Sequence, residues 1–150
     1  MNIYFTQDKP PVTAEKLREI EQKIGCDLPG QYKEFLFRQN GGRPKPCRFR
    51  IQWNNQEWAG GWKEDEVHFF LSVHDGNLSN FLDYYDTFKG RIPNDTVPVA
   101  YDPGGNLVLL GVGTANHGRV FFWKQSEKAD YRNVGFVADS FNEFIGSLFE

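Results

Sequence analysis

Cysteine is scarce in this chain. Cys26 and Cys47 are the two it has in 150 residues, and they form no CxxC pair. A single disulfide is compatible with that count, but two free thiols in a reducing compartment is the simpler expectation. Long apolar runs are missing as well, and none approaches the length needed to span a bilayer. The segment from Met1 to Lys9 shows no basic stretch followed by an apolar one, so no secretory signal is visible and the expected location is the cytoplasm. Nor is charge of one sign in large excess. Lys and Arg number 17 against 20 Asp and Glu, for a net charge of −3. Such mild acidity gives no overall electrostatic reason to bind nucleic acid or an anionic membrane. Repeats, linkers and low-complexity tracts are also lacking.

Aromatic residues are abundant: 16% of the chain, including 14 Phe and 4 Trp. Large side chains fill a core with few residues, which offsets a thin aliphatic content. A chain of this size is most simply one domain, spanning 1–150, that buries about 70% of its unfolded surface.

Thr13 is a plausible N-cap for a first helix from Ala14 to Ile24, with Leu17, Ile20 and Ile24 on one face and Gly25 as its stop. Pro29 opens a second helix, where its missing N–H costs no intrahelical bond. Tyr32, Phe35 and Leu36 form its buried stripe, and Asn40-Gly41-Gly42 ends it. From Cys47 to Trp53 the period becomes two: Cys47, Phe49, Ile51 and Trp53 alternate with Arg48, Arg50 and Gln52, as in a half-buried strand. Asn54 to Glu66 has no period and contains Gly60-Gly61, which predicts an exposed loop. Val67 to Val73 reads as a second, buried strand. Leu78, Phe81, Leu82, Tyr85 and Phe88 fall at helical spacing.

Strands over Val97–Tyr101, Leu107–Val112 and Arg119–Lys124, with turn-forming connections, predict an antiparallel meander. A further strand is expected near Asn133–Val137. Ser140 and Glu143 form a capping box before a last helix. The order ααββαβββ(β)α does not alternate strictly, so the expectation is an α+β domain with an antiparallel twisted sheet flanked by helices.

Candidate chemistry is sparse. Gly113 to Gly118 has the two glycines of a phosphate loop but lacks its Lys and hydroxyl, and it leads into a strand, which favours a hairpin turn. His68 and His74 would share a face of one continuous strand, with Asp75 nearby, yet no compact metal-ligand cluster accompanies them and His117 lies in a turn. There is no GxSxG, and neither cysteine stands in a nucleophile signature. Asp83 and Asp86 at i, i+3 fit a solvated helix face. No catalytic, cofactor-binding or metal-binding residue is therefore expected. Arg43, Lys45, Arg48 and Arg50 near Trp53 form a basic patch that fits single-stranded nucleic acid less well than a wet face, given the acidic total. Trp58 and Trp62 beside Glu64, Asp65 and Glu66 are the candidate partner-binding residues, suited to a basic protein. Core cover is the competing role for at least one of those tryptophans. Alanine at Trp58 and Trp62 is expected to weaken a complex while leaving Tm nearly unchanged; a large loss of stability would show them to be core.

Four segments carry a resemblance. Leu28, Pro29, Tyr32, Phe35, Leu36, Asn40, Gly41 and Gly42 are similar to an LPxxYxxFLxxxNGG stretch. Val97, Pro98, Ala100, Asp102, Gly104, Gly105 and Asn106 are similar to an (I/V)PhAxDxGGN strand–turn. Gly118 to Trp123 and Ser140 to Ile145 match a later strand and a closing helix. Together they resemble the SUKH superfamily, which contains bacterial immunity proteins and the Smi/Knr type of fungal cell-wall synthesis regulator. The resemblance implies a non-enzymatic α+β domain that binds another protein, most simply an immunity protein that sequesters a cognate toxin, a nuclease being one such target. The alternative is a Smi/Knr-type scaffold acting on cell-wall or glucan synthesis, which the short chain disfavours. A small hydrolase or nucleotide-binding enzyme ranks third.

Overall fold

A computed structural model describes residues 3–6, 9–53, 62–76, 78–125 and 133–150. The expected helical unit near the start is present. Thr13 caps α1 (Ala14–Ile24) by accepting from the Lys16 N–H at 3.1 Å, and Gly25 stops it in the left-handed region at φ 77°. Pro29 is the N-cap of α2 (Gly30–Arg38), not its first helical residue. The stripe Tyr32, Phe35 and Leu36 is buried. The ring of Phe35 lies 5.1 Å from Phe141 and 5.3 Å from Phe70, so this helix joins the chain's last helix to the sheet.

Asn40 and Gly41 then work as a brace. Asn40 is 2% exposed. Its side chain donates to the Pro10 and Val73 carbonyls and accepts from the Val73 N–H. Gly41 has φ 80°, and a Cβ there would sit 2.8–2.9 Å from Ser72 Cβ and the carbonyl oxygens of Phe70 and Leu71. Only glycine fits both constraints.

Two short strands that periodicity does not announce, β1 (Tyr4–Thr6) and β2 (Arg43–Lys45), pair antiparallel beside the main sheet. The main sheet has seven strands: β3 (Arg48–Trp53), β4 (Trp62–Glu66), β5 (Phe69–Phe70), β6 (Thr96–Tyr101), β7 (Leu107–Gly111), β8 (Val120–Trp123) and β9 (Val134–Ala138). Their order is β4-β3-β9-β8-β7-β6-β5, and every pair is antiparallel. The expected α+β class holds. α3 (Phe81–Phe88) separates β5 from β6, and α4 (Phe141–Gly146), capped by Ser140, follows β9.

Three local expectations are corrected. Residues 62–66 form a strand, although the sequence suggests a loop from Asn54 to Glu66; residues 54–61 lie outside the described set. The expected strand over Val67 to Val73 is reduced to Phe69–Phe70, because the chain changes partner at its start and leaves β6 after Leu71, whose N–H still donates to Val99. His68 and His74 accordingly fall on opposite sides of β5 and share no strand. The third helix begins at Phe81: Asn80 caps it by accepting from the Leu82 N–H, leaving Leu78 84% exposed.

β4 and β5 close the two ends of the sheet order, yet only Val67 and His68 separate them. The Val67 N–H donates to Cys47 on the β3 side, and the His68 N–H donates to Tyr101 on β6, both at 2.8 Å. One continuous segment thus serves both edges, and the sheet curls until they meet. Its inner face packs Phe49, Ile51, Phe122, Val108 and Leu110 against α1, α2 and α4. On the outer face, α3 and the segment after it cover β7 and β8 with Phe88 and Ile92 on Leu107, Leu109 and Trp123.

Candidate partner-binding surface

The strict alternation of β3 decides what each face offers. Phe49 and Ile51 are buried inward, while Arg48, Arg50 and Gln52 point outward. In register, Arg48 stands opposite Glu66 and Arg50 opposite Glu64. The guanidinium of Arg48 reaches Glu64 at 3.1 Å and Glu66 at 3.8 Å, and Arg50 reaches Glu64 at 3.9 Å. The hydrogen bond that Arg48 donates to Glu64 holds its guanidinium above the usual pKa. Beside this ladder, Arg50 lies 4.4 Å over the ring of half-buried Phe149, whose backbone exchanges two hydrogen bonds with Arg48.

The same face continues across β9 and β8. Gln52 pairs with Phe136, and Phe136 with Phe121, so the three share a side. Both rings are half-buried, 6.3 Å apart, and the Arg119 guanidinium lies 4.9 Å over Phe136 while pairing with Asp139 at 3.2 Å. Aromatic and arginine side chains set among screened charges are the composition favoured at protein–protein contacts.

The inner face ends in a mouth where the curl stays open. A cavity of about 210 Å³ is lined by Ile51, Trp53 and Phe122 at its floor, by Asp65, Asp102 and Asn106, and by Lys63 and Lys124. Asp102 is the anchor of the β6–β7 turn. Its Oδ1 accepts from the Gly104 and Asn106 N–H groups at 2.9 and 2.7 Å, and its Oδ2 accepts from Asn106 Nδ2 at 2.8 Å. Gly105 supplies φ 90° there. Burial is the main reason the Asp65 carboxyl is pushed up to about 7; the hydrogen bond with Asp102 comes second.

The candidate residues read from sequence are thus split. Glu64 and Glu66 pair with arginines on the outer ladder, Glu64 also reaching the rim of the mouth, while Asp65, between them, turns inward. Trp62 is placed on β4 opposite Gln52 in register, and Trp58 lies outside the described residues. Arg119, Phe121, Phe136 and Phe149 were missed. Neither β8 nor β9 alternates apolar with polar residues, so no local signal singles them out, and only the tertiary arrangement gathers them on the face of β3.

Other chemistry-bearing groups are engaged in structure. The Ser72 hydroxyl lies 2.8 Å from His74 Nδ1 and 3.3 Å from the Ser79 carbonyl, knotting the loop between β5 and α3. Burial and nearby Lys9 lower the His74 pKa. His68 sits edge-on to Phe69 with centroids 4.7 Å apart. Cys26 and Cys47 are free, and burial pushes both thiols up, away from thiolate reactivity. Among the described residues no three His, Cys, Asp or Glu side chains converge as metal ligands, and no helix is long and apolar enough to cross a membrane. Gly113 to Gly118 joins β7 to β8, with the Gly113 N–H held by Asn116.

Three of the four sequence motifs meet in one groove, where Pro29, Gly30 and Gln31 face Gly118 and Ser140-Phe141. They brace helix starts against the β7–β8 turn, and Gln31 Oε1 accepts from the Asn142 N–H across the groove. A family model described as SMI1 / KNR4 family (SUKH-1) matches residues 11–147. The chain belongs to this family. Among curated proteins, the SUKH-1 chain is similar to the SPbeta prophage-derived uncharacterized protein YokK of Bacillus subtilis (strain 168). The two are 27% identical over 147 residues, covering 91% of this chain and 74% of the relative. Two of the motifs coincide with the Asn40–Gly41 brace and the Asp102 turn, where local backbone geometry demands those residue types.

Proposed function

We propose that the protein is a non-enzymatic binding domain that neutralises a cognate bacterial toxin by direct contact, and that the outer face of β4, β3, β9 and β8 is the contact surface. The observation that carries this reading is the composition of that face. Half-buried Phe136 and Phe149 lie among Arg48, Arg50, Glu64, Glu66 and Arg119, and Phe121 continues the face to the edge of the cluster under α3. Such a face buries aromatic area on docking, while its charges set orientation and exclude wrong partners. A net charge of −3 suits a basic toxin, which would be steered to it at low ionic strength. Membership in SUKH-1 and a prophage-derived relative fit a gene that travels with mobile elements. The binding needs no chemistry from the chain itself.

The test is co-expression with the toxin domain encoded beside the gene, followed by co-purification. The expected result is a one-to-one complex that restores growth and weakens with salt. The pair Glu64→Lys and Glu66→Lys, which reverses the ladder's acids, is expected to weaken it at least about tenfold with the fold retained. Recovery of cell-envelope synthesis proteins in place of any toxin would transfer the reading to a Smi/Knr-type scaffold.

A further inference from the structure

Where the sheet closes on itself, the backbone provides the first rungs of the seam. Val67 still donates to β3 and His68 already donates to β6. The next inward side chain back along β4 is Asp65, and the next residue beyond Tyr101 on the other side is Asp102. Their carboxyls meet on the wall of the mouth. Asp102 is 6% exposed. Three donors from Gly104 and Asn106 already occupy its oxygens. Asp65 Oδ2 is buried and has no hydrogen-bond partner. Two ionised carboxylates offer each other only acceptors; a single proton turns the contact into a donor–acceptor pair. The buried Asp65 carboxyl, pushed up mainly by burial, is the one that carries that proton.

We propose that Asp65 and Asp102 share one proton and form a pH-sensitive side-chain rung that closes the seam of the curled sheet, so that loss of the proton loosens β4 from the β6–β7 turn and widens the mouth. The surrounding charges can be named element by element. β4 contributes Lys63, Glu64 and Glu66, the β6–β7 turn contributes Asp102, and the end of β8 contributes Lys124. Arg48 and Arg50 of β3 lie on the outer face, facing Glu64 and Glu66. The negative charges of Asp102 and Glu66 favour the protonated acid, while a hydrogen bond from the Glu66 backbone opposes it. The sign follows from linkage. The folded state holds the Asp65 proton more tightly than the unfolded chain does, so the stabilisation is complete below the ordinary carboxylate value of 3.8. It is lost as pH rises to about 7 and is gone above that. The rung does not depend on which partner the outer face binds.

The test titrates the full chain, labelled with carboxyl-¹³C aspartate, from about pH 4 to about pH 9 by NMR, alongside urea denaturation of wild type and Asp65→Asn. The amide of Asp65→Asn donates to Asp102 without a proton. The expected result is an Asp65 midpoint near 7, together with a wild-type folded-to-unfolded ratio that falls relative to Asp65→Asn by up to about tenfold per pH unit below that midpoint. Amide exchange at Lys63 to Glu66 should also quicken above neutrality beyond its intrinsic pH dependence. An Asp65 carboxyl that titrates with the other carboxylates near about 4 overturns the proposal. So do parallel stability profiles for the two proteins. The wild-type NMR titration decides the matter alone if Asp65→Asn fails to fold.

Discussion

The two faces of β4 carry neighbouring acids with opposite fates. Glu64 and Glu66 face solvent and meet arginines, as exposed acids do, and water screens what the pairs gain. Asp65, one residue away from each, is turned inward to a site where its neighbour is another carboxylate and the buried oxygen has no donor. The difference is one of environment alone, since residue type, strand and local sequence are nearly the same. A strand's period of two converts a run of like charges into an orienting surface on one side and a proton-holding site on the other.

The comparison can be broken first at the inner face. Phe49 is 0% exposed and packs its ring 5.5 Å from Phe144 and 6.0 Å from Phe122. Phe49→Ala should cost about 3–5 kcal/mol in urea denaturation, the largest effect in this set. Asp102→Ala comes next, on the order of 2 kcal/mol, because three donors of the β6–β7 turn lose their acceptor. Calorimetry near neutral pH would check it, and an unchanged Tm would show that the turn holds without its aspartate.

A smaller effect of opposite pH sign sharpens the contrast with Asp65. The lowered pKa of His74 means that its contribution is complete above the unfolded value of 6.5 and is lost as pH falls through the folded one. Acidification below neutrality should therefore destabilise the chain through His74 while it strengthens the Asp65 rung. His74→Gln should remove the first slope and leave the second, which denaturation at a series of pH values would resolve. Arg50→Ala on the outer face is the smallest, about 0.5 kcal/mol or less, and its main readout is the affinity of a partner complex.

How far the sequence carried depended on whether an element has an apolar side. α1, α2 and β3 each show a clean stripe or alternation; Thr13 and Gly25 cap α1 where expected, while α2 is capped by Pro29 and Gln39. The Asp102 turn and the Asn40-Gly41-Gly42 brace were legible for the same reason: local backbone geometry demands those residue types. Lys63-Glu64-Asp65-Glu66 shows nothing of the kind. One face of β4 meets water and the other a polar mouth, so no hydrophobic period marks the strand, and a loop was the natural expectation.

By itself the sequence determined the α+β class, the helical unit at the start, the antiparallel meander and the turns that hold it, because short-range sterics and hydrophobic periodicity act between near neighbours. The tertiary structure decided that 62–66 would pair with β3 and that the sheet would curl until its edges met. It also brought Phe136 beside Gln52, Phe149 under Arg50, and Asp65 against Asp102. Those outcomes come from strand order and twist, which bring together residues far apart along the chain, and no local pattern encodes that proximity.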